Sequence, residues 1–157
     1  VGRSLAKVIR SRRFDVRFDT AFEAVIRACA ATRRRHESGT WISEPMIAAY
    51  SDLHRLGWAH SAESFRGGRL VGGLYGVAIG AAFFGESMFF HEPDASKVAF
   101  STLVRELAAC GFRLLDCQQE TPHLARFGAK PMARRRFLRE LQRAIAAPAE
   151  FPSGAEA

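Results

Sequence analysis

Residues 70–90 read LVGGLYGVAIGAAFFGESMFF, in which Leu70–Val77 and Ala81–Phe84 are apolar runs punctuated by Gly72, Gly73, Gly76 and Gly80. Apolar runs of about four to eight residues bounded by turn signals predict buried strands, and a glycine within such a strand removes a side chain where another backbone or a ligand approaches. The stretch therefore predicts strands that form a pocket floor or a tight bend. Glu86 stands among Phe83, Phe84, Phe89 and Phe90. A carboxylate in that setting must find a partner or take up a proton.

Downstream, Asp94 reads as the N-cap of a helix that places Phe100, Leu103, Val104 and Leu107 on one apolar face, with Gly111 as its stop. Phe112 to Gln118 then reads as a strand. Its two-residue period puts Leu114, Asp116 and Gln118 on one side and Leu115 and Cys117 on the other, so two polar groups are expected to leave a buried strand together.

Upstream, Arg3 to Arg12 predicts a basic helix with Arg3, Lys7 and Arg10 along one face. Phe14–Phe18 predicts a short strand, and Thr20–Ala31 a helix with Phe22, Val25, Ile26 and Cys29 inward. Thr32–Gly39 is a polar, arginine-rich loop. Ser43 is expected to cap a helix that buries Met46, Ile47, Tyr50 and Leu53 and stops at Gly57. Ala59–Phe65 and the run from Arg69 form a hairpin around Gly67-Gly68. The order of elements predicts an α/β (α+β) fold, a mixed sheet flanked by helices.

Composition narrows the function less. The 157 residues are 48% hydrophobic, enough for one domain with a core. A formal net charge of +7 suits a polyanionic partner or simple solubility. Cys29, Cys110 and Cys117 have neither C-x-x-C spacing nor paired histidines, so no zinc site or disulfide framework is indicated, in keeping with a reduced cytoplasm. No charge-free apolar run reaches about 18 residues and no leader pattern is visible, so neither a membrane span nor a signal peptide is expected.

Several short segments occur in a fixed order. They are Gly39-Thr40-Trp41-Ile42, Leu53-His54, Ala59-His60-Ser61, Leu70 to Val77, Gly85-Glu86-Ser87-Met88-Phe89, Ala95-Ser96-Lys97, Asp116-Cys117-Gln118, His123-Leu124-Ala125, Gly128-Ala129 and Arg134-Arg135. Through them the chain resembles the leucyl/phenylalanyl-tRNA-protein transferases, bacterial aminoacyltransferases of the N-degron pathway, over roughly residues 3 to 142.

The resemblance implies the GCN5-related N-acetyltransferase (acyl-CoA N-acyltransferase) fold, with a sheet splayed near its centre to receive the acyl donor. It implies transfer of Leu, Phe or Met from aminoacyl-tRNA to the α-amine of proteins that begin with Lys or Arg, which marks them for degradation. The catalytic positions carry over to Asp116 and Gln118, and recognition of the acceptor's N-terminus to Glu86. The aminoacyl pocket carries over to Trp41, Leu74, Phe83, Met88, Phe100, Leu103, Leu107 and Leu115, although without the resemblance these residues read as ordinary core. Arg3, Lys7 and Arg10 correspond to a basic cluster for the tRNA acceptor stem; Arg33-Arg34-Arg35 and Arg134-Arg135-Arg136 are secondary candidates. His54, His60 and His123 match the family but read as packed, hydrogen-bonded histidines. No metal or cofactor is implied, and a cytoplasmic monomer is expected.

The family carries a further N-terminal domain ahead of the segment that Val1 matches. Residues 1–145 are therefore read as the aminoacyltransferase domain and 146–157 as a flexible tail. A non-catalytic aminoacyl-tRNA- or peptide-binding remnant is the alternative. Two other enzymes fit poorly. Arg69 to Leu74 departs at its last position from the pyrophosphate loop of a coenzyme A acetyltransferase, and Phe89 stands where the nucleophile elbow of a serine hydrolase needs glycine.

Overall fold

The computed structural model describes residues 2–32 and 40–155, so Arg33-Arg34-Arg35, Gly39 and the side chain of His123 lie outside the described set. The chain runs through helix α1 (Arg3–Arg10), strand β1 (Asp15–Phe18), helices α2 (Phe22–Ala31) and α3 (Glu44–Arg55), and strands β2 (Ala59–Arg66), β3 (Arg69–Ile79) and β4 (Ala82–Phe90). Helix α4 (Ala95–Ala109), strand β5 (Leu114–Asp116), the short helix α5 (Pro122–Ala125), helix α6 (Arg134–Ile145) and the two-residue strand β6 (Gly154–Ala155) follow. The strands form one sheet in the order β5-β4-β3-β2-β1-β6. Every pairing is antiparallel except β4 with β5. The expected mixed sheet is present.

Each face of the sheet buries its own apolar cluster. On one side Leu74 and Phe83 pack with Val98, Phe100, Leu103 and Leu107 of α4 and Leu5 of α1. On the other, Tyr75 and Phe89 pack with Phe22, Val25, Ile26 and Cys29 of α2 and Ile47 of α3. The inward set anticipated for α2 is the set found. Gly72 is where α4 crosses closely, because a Cβ there would lie 2.6 Å from Ala95 Cβ. Gly72 thus makes room for a neighbouring helix, whereas at Gly76 a Cβ would meet the Phe84 carbonyl oxygen and the Phe83 ring of the adjacent strand.

Other expectations need correction. Asp94 stands at the N-cap of α4 but makes no side-chain cap; its backbone is left-handed (φ 69°) and its carboxylate binds Lys97 Nζ at 2.6 Å. Val104 is exposed, because the face that α4 turns to the sheet carries Ala95, Val98, Ala99, Phe100, Leu103 and Leu107. On α3 only Ile47 is fully buried; Met46, Tyr50 and Leu53 are half-buried, and Ser43 makes no side-chain cap.

The strand expected over Phe112–Gln118 is three residues long. It stops because Asp116 Oδ1 accepts a hydrogen bond from the Gln118 backbone N–H at 2.8 Å, and Gln118 takes a left-handed conformation with φ 62°. An Asp side chain that mimics a backbone turn in this way competes with the ladder. Nor do residues 146–155 behave as a frayed tail. Ala147 is buried, the Phe151 ring packs on Phe18, His60 and Phe83, and β6 pairs with β1.

His54 and His60 fit the packed reading. His54 Nδ1–H donates to the Ala59 carbonyl at 2.8 Å and its ring stacks on Phe22, while His60 Nδ1 is 2.7 Å from Asp19 Oδ2 and its ring stacks on Phe151. Beside them Glu63 has 0% exposure. It accepts hydrogen bonds from the Ser61 hydroxyl and from the Thr20 backbone and hydroxyl. Burial outweighs these bonds and pushes the Glu63 carboxyl up from its ordinary range, with Asp19 adding to the effect.

A carboxyl raised in the folded state binds more protons there than in the unfolded chain between the two pKa values. Its contribution is thus favourable below the unfolded value and is lost as pH rises through the folded one. Urea unfolding followed from about pH 4.5 upward should show this loss in the native protein. The Glu63→Gln variant should show a flatter profile, and identical profiles would refute the assignment.

Candidate functional site

The site begins with one extra residue. Tyr75 pairs with Ser87 and Gly76 with Gly85, so Glu86 has no partner on β3 and forms a β-bulge. A bulge shifts the alternation of side chains by one. Phe83 pairs with Ala78 and Met88 with Leu74 on the α4 side, although Met88 lies five positions, an odd number, beyond Phe83. A regular strand would turn them to opposite faces.

Beyond the bulge, β4 and β5 part. Their parallel ladder covers Ala82–Phe84 against Leu114–Asp116 and then stops. The opening lies one strand in from the sheet edge, and a cavity of about 440 Å³ fills it. Trp41, Leu74, Phe83, Met88, Phe100 and Leu115 give it apolar walls, and Glu86, Ser87, Gln118 and Thr121 give it polar groups. Apolar walls with a few convergent polar groups are the usual composition of a small-ligand site. Six of the eight pocket residues proposed from sequence line this cavity. Leu103 and Leu107 do not; they are buried in the cluster between α4 and the sheet.

Gln118 spans the mouth. Its Nε2 donates to the Gly85 carbonyl at 2.9 Å and to Glu86 Oε1 at 3.2 Å, so the β5 end is tied to the bulge. Glu86 also accepts a hydrogen bond from Tyr50 on α3. Burial, the neighbouring carboxylate charge and that bond push the Tyr50 phenol up to about 12. Tyr50 therefore remains a donor across the physiological range. The carboxylate expected to need a partner has two.

Asp116 and Gln118 do not face the site as a strand pair. Leu115, Cys117 and Gln118 line the first cavity, while Asp116 lines a second, of about 320 Å³, with Glu120, Lys130, Met132 and Phe137. Residues of the β5–α5 segment, Gln118 among them, form the wall between the two. Cys117 is part of that wall, and burial, aided by the Asp116 charge, raises its thiol. It is a wall residue and not an activated nucleophile.

Sequence reasoning took Tyr50 for core and passed over Tyr75, Ser87, Gln119, Thr121 and Leu124, all but Tyr50 in the cavity lining. A tyrosine on a half-buried helix face could have signalled a polar role for its tip. Among the described residues no cluster of His, Cys, Asp and Glu suits a metal ion, and no helix is long and apolar enough to cross a membrane. Arg3, Lys7 and Arg10 are exposed on the side of α1 away from Leu5.

A parallel strand pair that opens over a cavity, in a sheet otherwise antiparallel, is the architecture of the N-acetyltransferase fold. The chain matches the crystal structure of ribosomal-protein-alanine N-acetyltransferase from Brucella melitensis biovar Abortus 2308 with a TM-score of 0.51, over 77% of this chain and 93% of that one. Identity is 13%, so the likeness is one of fold. Sequence then gives the family: residues 1–142 match the leucyl/phenylalanyl-tRNA protein transferase family, and the chain belongs to it.

Proteins named leucyl/phenylalanyl-tRNA–protein transferase from Syntrophotalea carbinolica, Myxococcus xanthus and Thiobacillus denitrificans are 55%, 55% and 57% identical to it. These matches cover 97%, 94% and 94% of this chain, but 66%, 63% and 64% of those proteins. The chain thus spans a little under two thirds of the length of these relatives.

The Gln118–Glu86 contact can be tested directly. Gln118→Glu would set a second carboxylate beside Glu86 and lose both amide hydrogen bonds. Urea unfolding at pH 7 should show the variant destabilised by about 1 kcal/mol or more, and Glu86→Gln in the same chain should recover part of that loss. A loss that Glu86→Gln leaves unchanged would mean that the two side chains are not neighbours in solution.

Proposed function

We propose that this chain carries the transfer site of a cytoplasmic, monomeric aminoacyl-tRNA-dependent protein aminoacyltransferase. In this reading it moves Leu, Phe or Met from tRNA to the α-amine of proteins beginning with Lys or Arg, marking them for degradation. The observation that carries the reading is the position of Gln118, tied to Gly85 and Glu86 at the mouth of an apolar cavity. Family membership and the relatives' names point to the donor class.

In this mechanism the acyl side chain lies against Leu74, Phe83, Met88, Phe100 and Leu115, with Trp41 at the rim, while Leu103 and Leu107 support the Phe100 wall from the core. Both Nε2 donors of Gln118 are taken, which leaves its carbonyl oxygen to accept an N–H from the incoming amine. The amine nitrogen attacks the ester carbonyl carbon and a C–N bond forms. The tetrahedral oxyanion collapses, the bond to the ribose oxygen breaks, and a proton lost by nitrogen ends on that oxygen. Most of the acceleration comes from holding amine and ester together. Glu86 supplies the negative charge that draws the acceptor's ammonium or basic side chain to the mouth. Asp116 holds the turn that presents Gln118, and Arg3, Lys7 and Arg10 bind acceptor-stem phosphates.

The first test is transfer of labelled leucine from charged tRNA to a peptide that begins with Arg. Product supports the reading, whereas tRNA binding without product would favour the binding-only alternative. Asp116→Ala should lower kcat/KM by about 10²-fold, the cost typical of losing one positioned transition-state contact. Asp116→Asn keeps the acceptor for the Gln118 N–H and should retain most activity; equal losses in both variants would make Asp116 a base.

Arg3, Lys7 and Arg10 replaced together by Gln should weaken tRNA binding and flatten its dependence on salt, because each lost phosphate contact removes about 0.7–0.9 from the log–log slope. Fluorescence anisotropy across a KCl series would read it. A slope equal to that of the native chain would remove α1 from the interface.

A further inference from the structure

Helix α6 contains Arg134, Arg135, Arg136, Arg139 and Arg143 against the single acid Glu140. All five arginines are exposed. Among the described residues only Arg143 has a carboxylate partner, Glu140 at 3.6 Å. Three arginines occupy the first turn, where there is no acidic residue and no side-chain cap. That turn is the positive end of the helix dipole, so the charges there oppose the helix they sit on. Packing does not require them: the helix is held from its other side by Phe137, Leu141 and Ala144, against β4 and β5.

Such a face calls for a polyanion, and its surroundings say which. A helix that binds a membrane surface needs its apolar side free to enter the lipid. Phe137, Leu141 and Ala144 of α6 are turned to the sheet, and of the large apolar residues on the helix only Leu138 and Ile145 stay exposed, too few for an apolar face that enters lipid. Phe137 lines the second cavity together with Asp116, Gln118 and Lys130, so the arginine face lies about one helix diameter, roughly 10–12 Å, from that cavity, which shares its Gln118 wall with the transfer site. A nucleic acid whose 3′ end is to be emptied at Gln118 must cross a surface beside that site. Arg135, Arg139 and Arg143 recur every four residues and make a stripe about 12 Å long.

We infer that the arginine face of α6 is a second phosphate-binding track, which holds the RNA backbone beside the transfer site in addition to α1. The inference rests on the reading of aminoacyl-tRNA as donor. Contacts of this kind follow charge and not base sequence, so they serve several tRNAs alike.

The test compares the native chain with Arg135→Gln/Arg139→Gln/Arg143→Gln and with the same positions changed to Lys, using uncharged tRNA in a KCl series from about 50 to 200 mM. Unchanged far-UV circular dichroism and thermal midpoint would establish that both variants are folded. The Gln variant should bind with a log–log slope smaller by about 2, and the Lys variant should keep the native slope. Native binding with an unchanged slope in the Gln variant overturns the α6 track alone and leaves the donor reading standing. Absence of salt-dependent tRNA binding by the native chain overturns both. Binding of native protein to anionic phosphatidylserine vesicles, lost in the Gln variant while the tRNA slope stays the same, assigns the face to a membrane and also overturns the track.

Discussion

One unpaired residue in a strand governs the rest of the site. The bulge at Glu86 shifts the facing of β4 by one residue, and three consequences follow together. Phe83 and Met88 come to share a wall, the Glu86 carboxylate is turned toward Tyr50 and Gln118, and β4 continues past the point where β5 leaves it. Bulges bend and twist a strand locally, and an open split beside one needs something to hold its width. The Gln118 amide does this by bonding Gly85 and Glu86 across the gap. A polar tie at the mouth and apolar side chains at the base give a cavity with direction, wet at one end and dry at the other.

The parts of this arrangement that were legible in the sequence are those set by short-range chemistry. Gly67-Gly68 marked the hairpin because both residues have positive φ, at 56° and 76°. The inward residues of α2 followed from helical period alone. Gln118 did not, because its orientation depends on whether Asp116 bonds the next turn or continues the ladder, and an alternating pattern is the same in either case. The bulge was invisible for a related reason. Phe83, Phe84, Phe89 and Phe90 supply an apolar residue at both parities on each side of Glu86, so a one-residue slip leaves no gap in the pattern. Composition likewise misled at Phe151, where a single aromatic ring anchors a segment otherwise rich in Ala, Pro and Glu.

Charge is distributed unevenly over this framework. Glu86, Asp116 and Glu120 line the cavities, whereas the exposed faces of α1 and α6 are basic. An anionic ligand bound along α1 or α6 and a cationic one drawn to the mouth would each meet complementary charge. The same separation keeps the basic faces from collapsing onto the acids they would otherwise neutralise. Several arginines elsewhere are paired, as Arg66 and Arg13 are with Glu92 and Arg27 is with Glu23 and Glu44.

The short pairing of β6 with β1 has a bearing on how the chain keeps to itself. An open sheet edge presents unsatisfied backbone groups on which another polypeptide can build. Here Gly154 and Ala155 cover Phe18 and Arg17 on one edge, and the opposite edge strand is only three residues long and ends in a tight turn. Neither border offers a long template for edge-to-edge aggregation. The cavity can therefore stand open beside the sheet without the sheet itself recruiting other chains.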